Sequence, residues 1–251
     1  MRLTAIISLK AKIYPLKLAT VVQCDYSHNV MNTRFGEKID TAILSYIIID
    51  QGNIIVFDTG HKILNFEKGL ELNLRGNAQE NYEKKFVELN IQFTDVTHVV
   101  LSHLHWDHVQ NCDLFPNAKI YIQRKEMAYA AAPIDPLYYE NSDIADLIGN
   151  YSDRIVYLDG EDGDEFISPN VKLVLLGGHS VGSQVAYVET SRGCVILTGD
   201  ICNTYENLET RSVKEVNVIE WTKAVQRIKR EADIVLPQHE PRVLEDYPYI
   251  E

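Results

Sequence analysis

Three histidines and an aspartate stand within six residues of this chain, in His103-Leu104-His105-Trp106-Asp107-His108. Imidazole nitrogens and carboxylate oxygens are the donors that zinc and similar divalent ions take, and this density of them points to metal ligation. The preceding run, Thr97-His-Val-Val-Leu-Ser102, reads as a short buried strand. Alternate residues of an extended segment share a face, so His103 and His105 point one way. Asp107 and His108 begin the next turn and face a neighbouring point. Two adjacent ions account for the whole cluster, whereas a polar loop leaves it unexplained.

Such an array needs further donors at the ends of later strands. His179 follows Val171-Lys-Leu-Val-Leu-Leu-Gly-Gly178, where the glycines allow a sharp turn. Asp200 follows Val195-Ile-Leu-Thr-Gly199, and His239 follows Ile234-Val-Leu-Pro-Gln238. His28, His61 and His98 are read as non-ligands, since a lone histidine is usually a core or surface residue. Ser102 and Ser180 border the cluster, but neither has a separate His/Asp pair to activate it, which argues against a serine nucleophile.

The elements that must position these groups follow from patterning. Ala42–Ile49 and Asn53–Phe57 are β-branched runs joined through Asp50-Gln51-Gly52, a hairpin signal, and Asp58-Thr-Gly60 closes the second. Residues 78–89 turn helical, with Tyr82, Phe86 and Leu89 on one stripe. Ala118–Gln123, Val171–Leu176, Gln184–Glu189, Cys194–Thr198 and Asp233–Pro237 read as strands. Val218, Trp221, Val225 and Ile228 mark an amphipathic helix before the last of them. Residues 126–150, with their prolines and the Tyr138-Tyr139 pair, read as a long connection forming a lid or wall. Strands in two groups, each followed by helix, predict an α/β fold in four layers, helix-sheet-sheet-helix, with residues 1–251 as a single domain.

The cluster and its partners resemble the metallo-β-lactamase superfamily, whose H-x-H-x-D-H signature, later histidine, bridging aspartate and final histidine occur here in order. The likeness runs from Asp58-Thr-Gly60 to His239. It implies the four-layer αββα fold and two zinc ions, with iron, manganese or cobalt as other divalent occupants. One ion would take His103, His105 and His179 and the other Asp107, His108 and His239, with Asp200 bridging. It also implies that Asp58 orients ligands from behind.

Length and the Gly177-Gly-His-Ser-Val-Gly182 context are most similar to the N-acyl homoserine lactonases. That group carries a second histidine four residues after the motif histidine, where this chain has Ser183. It also carries a tyrosine three residues beyond the bridging aspartate, where this chain has Asn203, with Tyr205 two positions on. The implied chemistry is lactone opening by a water that the two ions acidify toward about pH 7. Asp107 would shuttle the proton, and Tyr205 or Asn203 would donate to the oxyanion. Phe66, Tyr138 and Tyr139 are the expected pocket residues. A thioesterase resembling glyoxalase II is the alternative, but it would need a basic site for its glutathione carrier. A di-iron oxidoreductase of the same fold would carry Glu in place of His105 and a flavin domain.

Composition bounds the partners. With 24 basic and 36 acidic residues the net charge is −12, which disfavours nucleic acid and anionic membrane and is no obstacle to the neutral small-molecule substrate that the resemblance implies. The stretch from Leu3 to Val22 is interrupted by Lys10, Lys12 and Lys17, with no cleavage site after it. Cys24, Cys112, Cys194 and Cys202 are scattered without a C-x-x-C pair. The expectation is a cytoplasmic protein with reduced cysteines and no membrane segment, able to form a homodimer.

Overall fold

The structure, a computed structural model, describes residues 9–62, 73–160 and 165–251. Strands β1 (Lys12–Asp25), β2 (Lys38–Asp50) and β3 (Asn53–Phe57) pair antiparallel in sequence. The β2–β3 turn is Gln51-Gly52, both at positive φ (48° and 91°), the form whose twist matches a two-residue hairpin. Next come β4 (Asn73–Arg75), α1 (Ala78–Leu89), β5 (His98–Val100), α2 (Trp106–Val109), β6 (Lys119–Gln123), α3 (Arg124–Ala130), α4 (Asn141–Ile148) and β7 (Ile155–Leu158). The first sheet has the order β4-β1-β2-β3-β5-β6-β7.

The second sheet uses β8 (Glu165–Ser168), β9 (Val171–Leu175), β10 (Gln184–Thr190), β11 (Gly193–Leu197) and β12 (Ile234–Leu236), in the order β12-β11-β10-β9-β8. Helix α5 (Val218–Glu231) precedes β12, and α6 (Val243–Asp246) follows it.

Three apolar clusters define the interfaces of four layers. Tyr82 and Phe86 of α1, Met127 of α3 and Ile144 of α4 pack with Ile43, Val56 and Val99 on the outer face of the first sheet. Leu44, Ile48, Phe57 and Val100 meet Leu173, Ala186, Val195 and Leu236 between the sheets. Trp221, Ala224, Val225 and Ile228 of α5 cover Val185, Tyr187 and Ile196 on the other outer face. The alternation of side chains along each strand is what lets one sheet feed two of these cores.

Strand direction determines where the donors collect. β3, β5, β6 and β7 are parallel, so the loops after β3 and β5 leave one edge of the first sheet. β9 and β11 are each antiparallel to β10, and β12 is parallel to β11, so the loops after β9, β11 and β12 also share an edge.

Residues 126–150 depart from the expected long connection. α3 and α4 occupy most of the segment, with Met127, Ala130, Ile144 and Leu147 buried, and only residues 131–140 between them are irregular. The helical stripe there is short and broken by Pro133 and Pro136, which hides its period. β4, β7 and β8 are strands of three or four residues, too short for alternation to show. The four cysteines form no disulfide, and no helix among the described residues is long and apolar enough to cross a membrane.

Candidate metal centre

β5 ends at Val100, and the chain bends after it, with Leu104 buried in the helix-side core while His103 and His105 join the donor cluster. The α2 turn then presents Asp107 and His108. His179 arrives through Gly177 and Gly178, at φ 68° and 95°; a Cβ on Gly178 would lie 2.6 Å from the Trp221 backbone, so only glycine permits this approach. Asp200 follows Gly199, at φ 51°, and His239 follows β12.

Side chains from these stretches form three overlapping donor sets, each with its ligand atoms within 4.8 Å of one another. They are His103, His105 and His179; His103, His108 and Asp200; and Asp107, His108 and His239. Asp200 lies between the outer two. Its Oδ1 is 3.0 Å from His239 Nε2 and 3.4 Å from His108 Nε2, while its Oδ2 is 3.5 Å from His179 Nε2. The ring nitrogens His179 Nε2 and His105 Nδ1 stand 3.2 Å apart. Asp107 reaches His108 Nε2 at 3.5 Å and His239 Nε2 at 3.6 Å.

The outer nitrogens are held from behind. Asp58, at φ 58°, accepts from the Ser102 amide (2.7 Å), from Ser102 Oγ (2.8 Å) and from His108 Nδ1 (2.8 Å). With its proton given to Asp58, Ser102 Oγ accepts from His103 Nδ1 at 2.9 Å. His239 Nδ1 donates to the Ala42 carbonyl at 2.7 Å. In each case Nδ1–H is engaged and the Nε2 lone pair faces inward. Nε2 of His103, His108 and His239 and Oδ1 of Asp200 are buried yet make no hydrogen bond. Buried unpaired polar atoms are rare in folded proteins, and four converging ones fit divalent cations in both position and chemistry.

Burial, reinforced by neighbouring histidines, pushes the His103 and His105 imidazoles well below their usual range, and burial lowers His179 to about 4. They are neutral near pH 7, the form that ligates. Burial also disfavours the Asp200 charge, but His239 and His108 outweigh it and hold the carboxyl well below the usual carboxylate range.

Glu126 ties the two histidine-bearing loops together. Burial pushes its carboxyl up. Oε1 accepts from the Leu104 amide (3.1 Å) and the Tyr139 hydroxyl (3.0 Å), and Oε2 from Ser180 Oγ (2.8 Å) and the Gly182 amide (2.8 Å). Its partners lie far apart in sequence, so no local pattern singles it out.

A cavity of about 530 Å³ opens beside Asp107 and His239, walled by Val21, Trp106, Leu137, Tyr138, Val213, Lys214 and Val216 among others. Tyr138 lines it as expected, with its ring 5.1 Å from that of His105. Tyr139 does not; it is buried in the helix-side core with its hydroxyl on Glu126. Phe66 lies outside the described residues.

Neither expected oxyanion donor is brought to the cavity wall. Tyr205 packs under the Arg242 guanidinium, 5.1 Å from its ring, and joins the inter-sheet core. Burial, with Tyr247, Asp246 and Glu240 nearby, pushes its phenol up. Asn203 is fully buried: its carbonyl accepts the His239 amide at 2.8 Å, and its Nδ2 donates to Ser212 Oγ at 3.2 Å. Neither Asn203 nor Tyr205 in the short polar turn after Asp200 lines the cavity, which spacing alone does not reveal. His61 is buried, edge-on to Trp106, and outside the donor sets; His98 bonds Thr97 and stacks on Tyr121.

Residues 40–239 match the family model of the metallo-beta-lactamase superfamily. The chain belongs to the metallo-beta-lactamase superfamily. Among curated members, it is similar to an N-acyl homoserine lactonase of Bacillus sp, at 28% identity over 199 residues covering 74% of this chain and 75% of the relative. A Bacillus cereus N-acyl homoserine lactonase is 37% identical over 116 residues, 46% of this chain and 42% of the relative. Solved superfamily structures share the fold. A quorum-quenching N-acyl homoserine lactone lactonase superposes with TM-score 0.77 at 21% identity, covering 97% of this chain and 99% of that one. A mutant of B. thuringiensis AiiA with N-decanoyl-L-homoserine at its active site gives 0.79 at 21% identity, covering 97% and 100%.

Proposed function

We propose that this chain is a dinuclear zinc hydrolase that opens the ring of an N-acyl homoserine lactone-like substrate. The observation that carries the reading is Asp200 standing between two donor triads, one of which opens through Asp107 and His239 onto a largely apolar cavity. His103, His105 and His179 would hold one ion, and Asp107, His108 and His239 the other, with the Asp200 carboxylate between them. Bound there, such a pair supplies Lewis acidity toward a carbonyl oxygen and acidifies water toward about pH 7.

The chain's own residues supply the rest. Asp58, Ser102 and the Ala42 carbonyl fix the imidazoles so that little reorganisation accompanies the reaction. Asp107 is both a donor-set member and a cavity residue, with 15% of its side chain exposed. It would take the proton of the attacking water and deliver it to the ring oxygen as the acyl C–O bond breaks. One water is consumed and one hydroxy acid forms. Val21, Leu137, Val213 and Val216 give the acyl chain an apolar surface, in a volume typical of small-molecule sites. The lactonase names of the curated relatives support the substrate class.

The test is ring opening of N-acyl homoserine lactones by purified, zinc-loaded protein, followed as acid release, with S-acyl glutathione in parallel. Fast lactone opening with slow thioester cleavage is the expected result. The reverse order overturns the substrate assignment and favours the thioesterase reading.

A further inference from the structure

Among the described residues, Lys214 is the only lysine or arginine on the cavity wall. It lies in the segment between the turn at Tyr205–Leu208 and α5, where its amide and Asn203 Nδ2 both donate to Ser212 Oγ, at 3.4 and 3.2 Å. Buried Asn203 and Ser212 thus pin the backbone that presents it. The half-buried ammonium makes no ion pair and no side-chain hydrogen bond among the described residues; it faces the Tyr138 ring at 6.0 Å from the centroid. Its neighbour Glu215 pairs with Arg211 instead.

An ammonium with no acceptor on a largely apolar wall gains nothing from the fold around it, and an apolar side chain would complete this wall as well. Three donors without an acceptor, beside the donor sets, make a place for an oxygen anion. Burial works against the Lys214 charge, but Asp200 and Asp107 outweigh it and raise its pKa, so the group is cationic at neutral pH. Those two carboxylates sense it without touching it. An anion that enters the cavity can supply the counter-charge that no neighbouring side chain provides.

We infer that Lys214 binds the acyl oxygen of the substrate, first the carbonyl oxygen as it gains charge and then the carboxylate of the ring-opened product. The substrate in this statement is the lactone of the proposed function, but the carboxylate half stands without it. Because the ammonium would touch the reacting group, it acts as a catalytic residue.

The experiment titrates N-hexanoyl-homoserine and hexanoate, both carboxylates, into metal-loaded protein by calorimetry. Metal content, melting temperature, kcat and KM for the corresponding lactone are measured alongside, in wild type, Lys214→Met and Lys214→Arg. Losing a charge-assisted bond should weaken binding of both carboxylates by about tenfold or more and lower kcat by about 100-fold in Lys214→Met. Metal content should hold, and Lys214→Arg should restore most of the carboxylate binding. Unchanged binding and kcat in Lys214→Met overturn the inference while leaving lactone hydrolysis standing. If wild type opens no lactone, yet Lys214→Met still loses the carboxylates, the proposed function fails and the Lys214 assignment survives. Should Lys214→Met lose metal or fold along with binding, and Lys214→Arg not restore carboxylate binding, Lys214 serves the architecture of the site and the inference is overturned.

Discussion

The residue that does most to position the centre is Asp58, which holds a donor of one cluster directly and a donor of another through Ser102. Its two oxygens accept the Ser102 amide, the Ser102 hydroxyl and His108 Nδ1, and Ser102 in turn accepts from His103. Asp58→Asn keeps the shape but replaces one acceptor with a donor, so either Ser102 or His108 loses its partner. Partners behind metal ligands typically contribute 10–100-fold, so zinc affinity should fall by about that factor while the melting temperature of metal-free protein moves little. A competitive chelator titration measures it, and unchanged affinity would remove Asp58 from the positioning role. The motif residues are legible in the sequence because donor type and strand-end position coincide at His103, His105, His179, Asp200 and His239. Lys214 is not, since a single lysine among Val213, Glu215 and Val216 has no period and no motif. Asn203 and Tyr205 are a related case: distance along the chain from Asp200 does not say whether a residue of a short turn reaches the cavity wall.

At the scale of elements, the loops carrying His103–His108 and His179 belong to different sheets, and α3 joins them through Glu126. A carboxylate facing four donors cannot be replaced by an amide without setting one N–H against another. Glu126→Gln should therefore cost about 3 kcal/mol of stability, the scale of losing bonds to a charged acceptor, and should loosen the His103, His105 and His179 set before the other. Denaturant unfolding gives the first quantity. Cobalt spectra of the substituted protein would show which site changes, and an unperturbed spectrum with full stability would contradict the linking role. The long strands and helices α1 and α5 show in their periodicity, as Tyr82/Phe86 and Trp221/Val225/Ile228 do. The short strands β4, β7 and β8 and the Glu126 junction depend on contacts between distant segments and leave no local trace.

For the whole molecule, the decisive property is topological. Parallel β3 and β5 on one side, and co-directional β9, β11 and β12 on the other, send five loops to one edge of the sandwich. That convergence brings five imidazoles and the Asp200 carboxylate together across nearly 140 positions of sequence, from His103 to His239. If each triad takes one ion with Asp200 between them, as proposed, occupancy of one site should depend on the other. The direct measurement is elemental analysis of purified chain and of Asp200→Asn, after zinc loading and removal of excess metal. Two zinc ions per chain in the parent, with both sites weakened and lactone opening lost in the variant, is the result this architecture predicts. A single ion per chain, or two retained in Asp200→Asn with unchanged turnover, would contradict it.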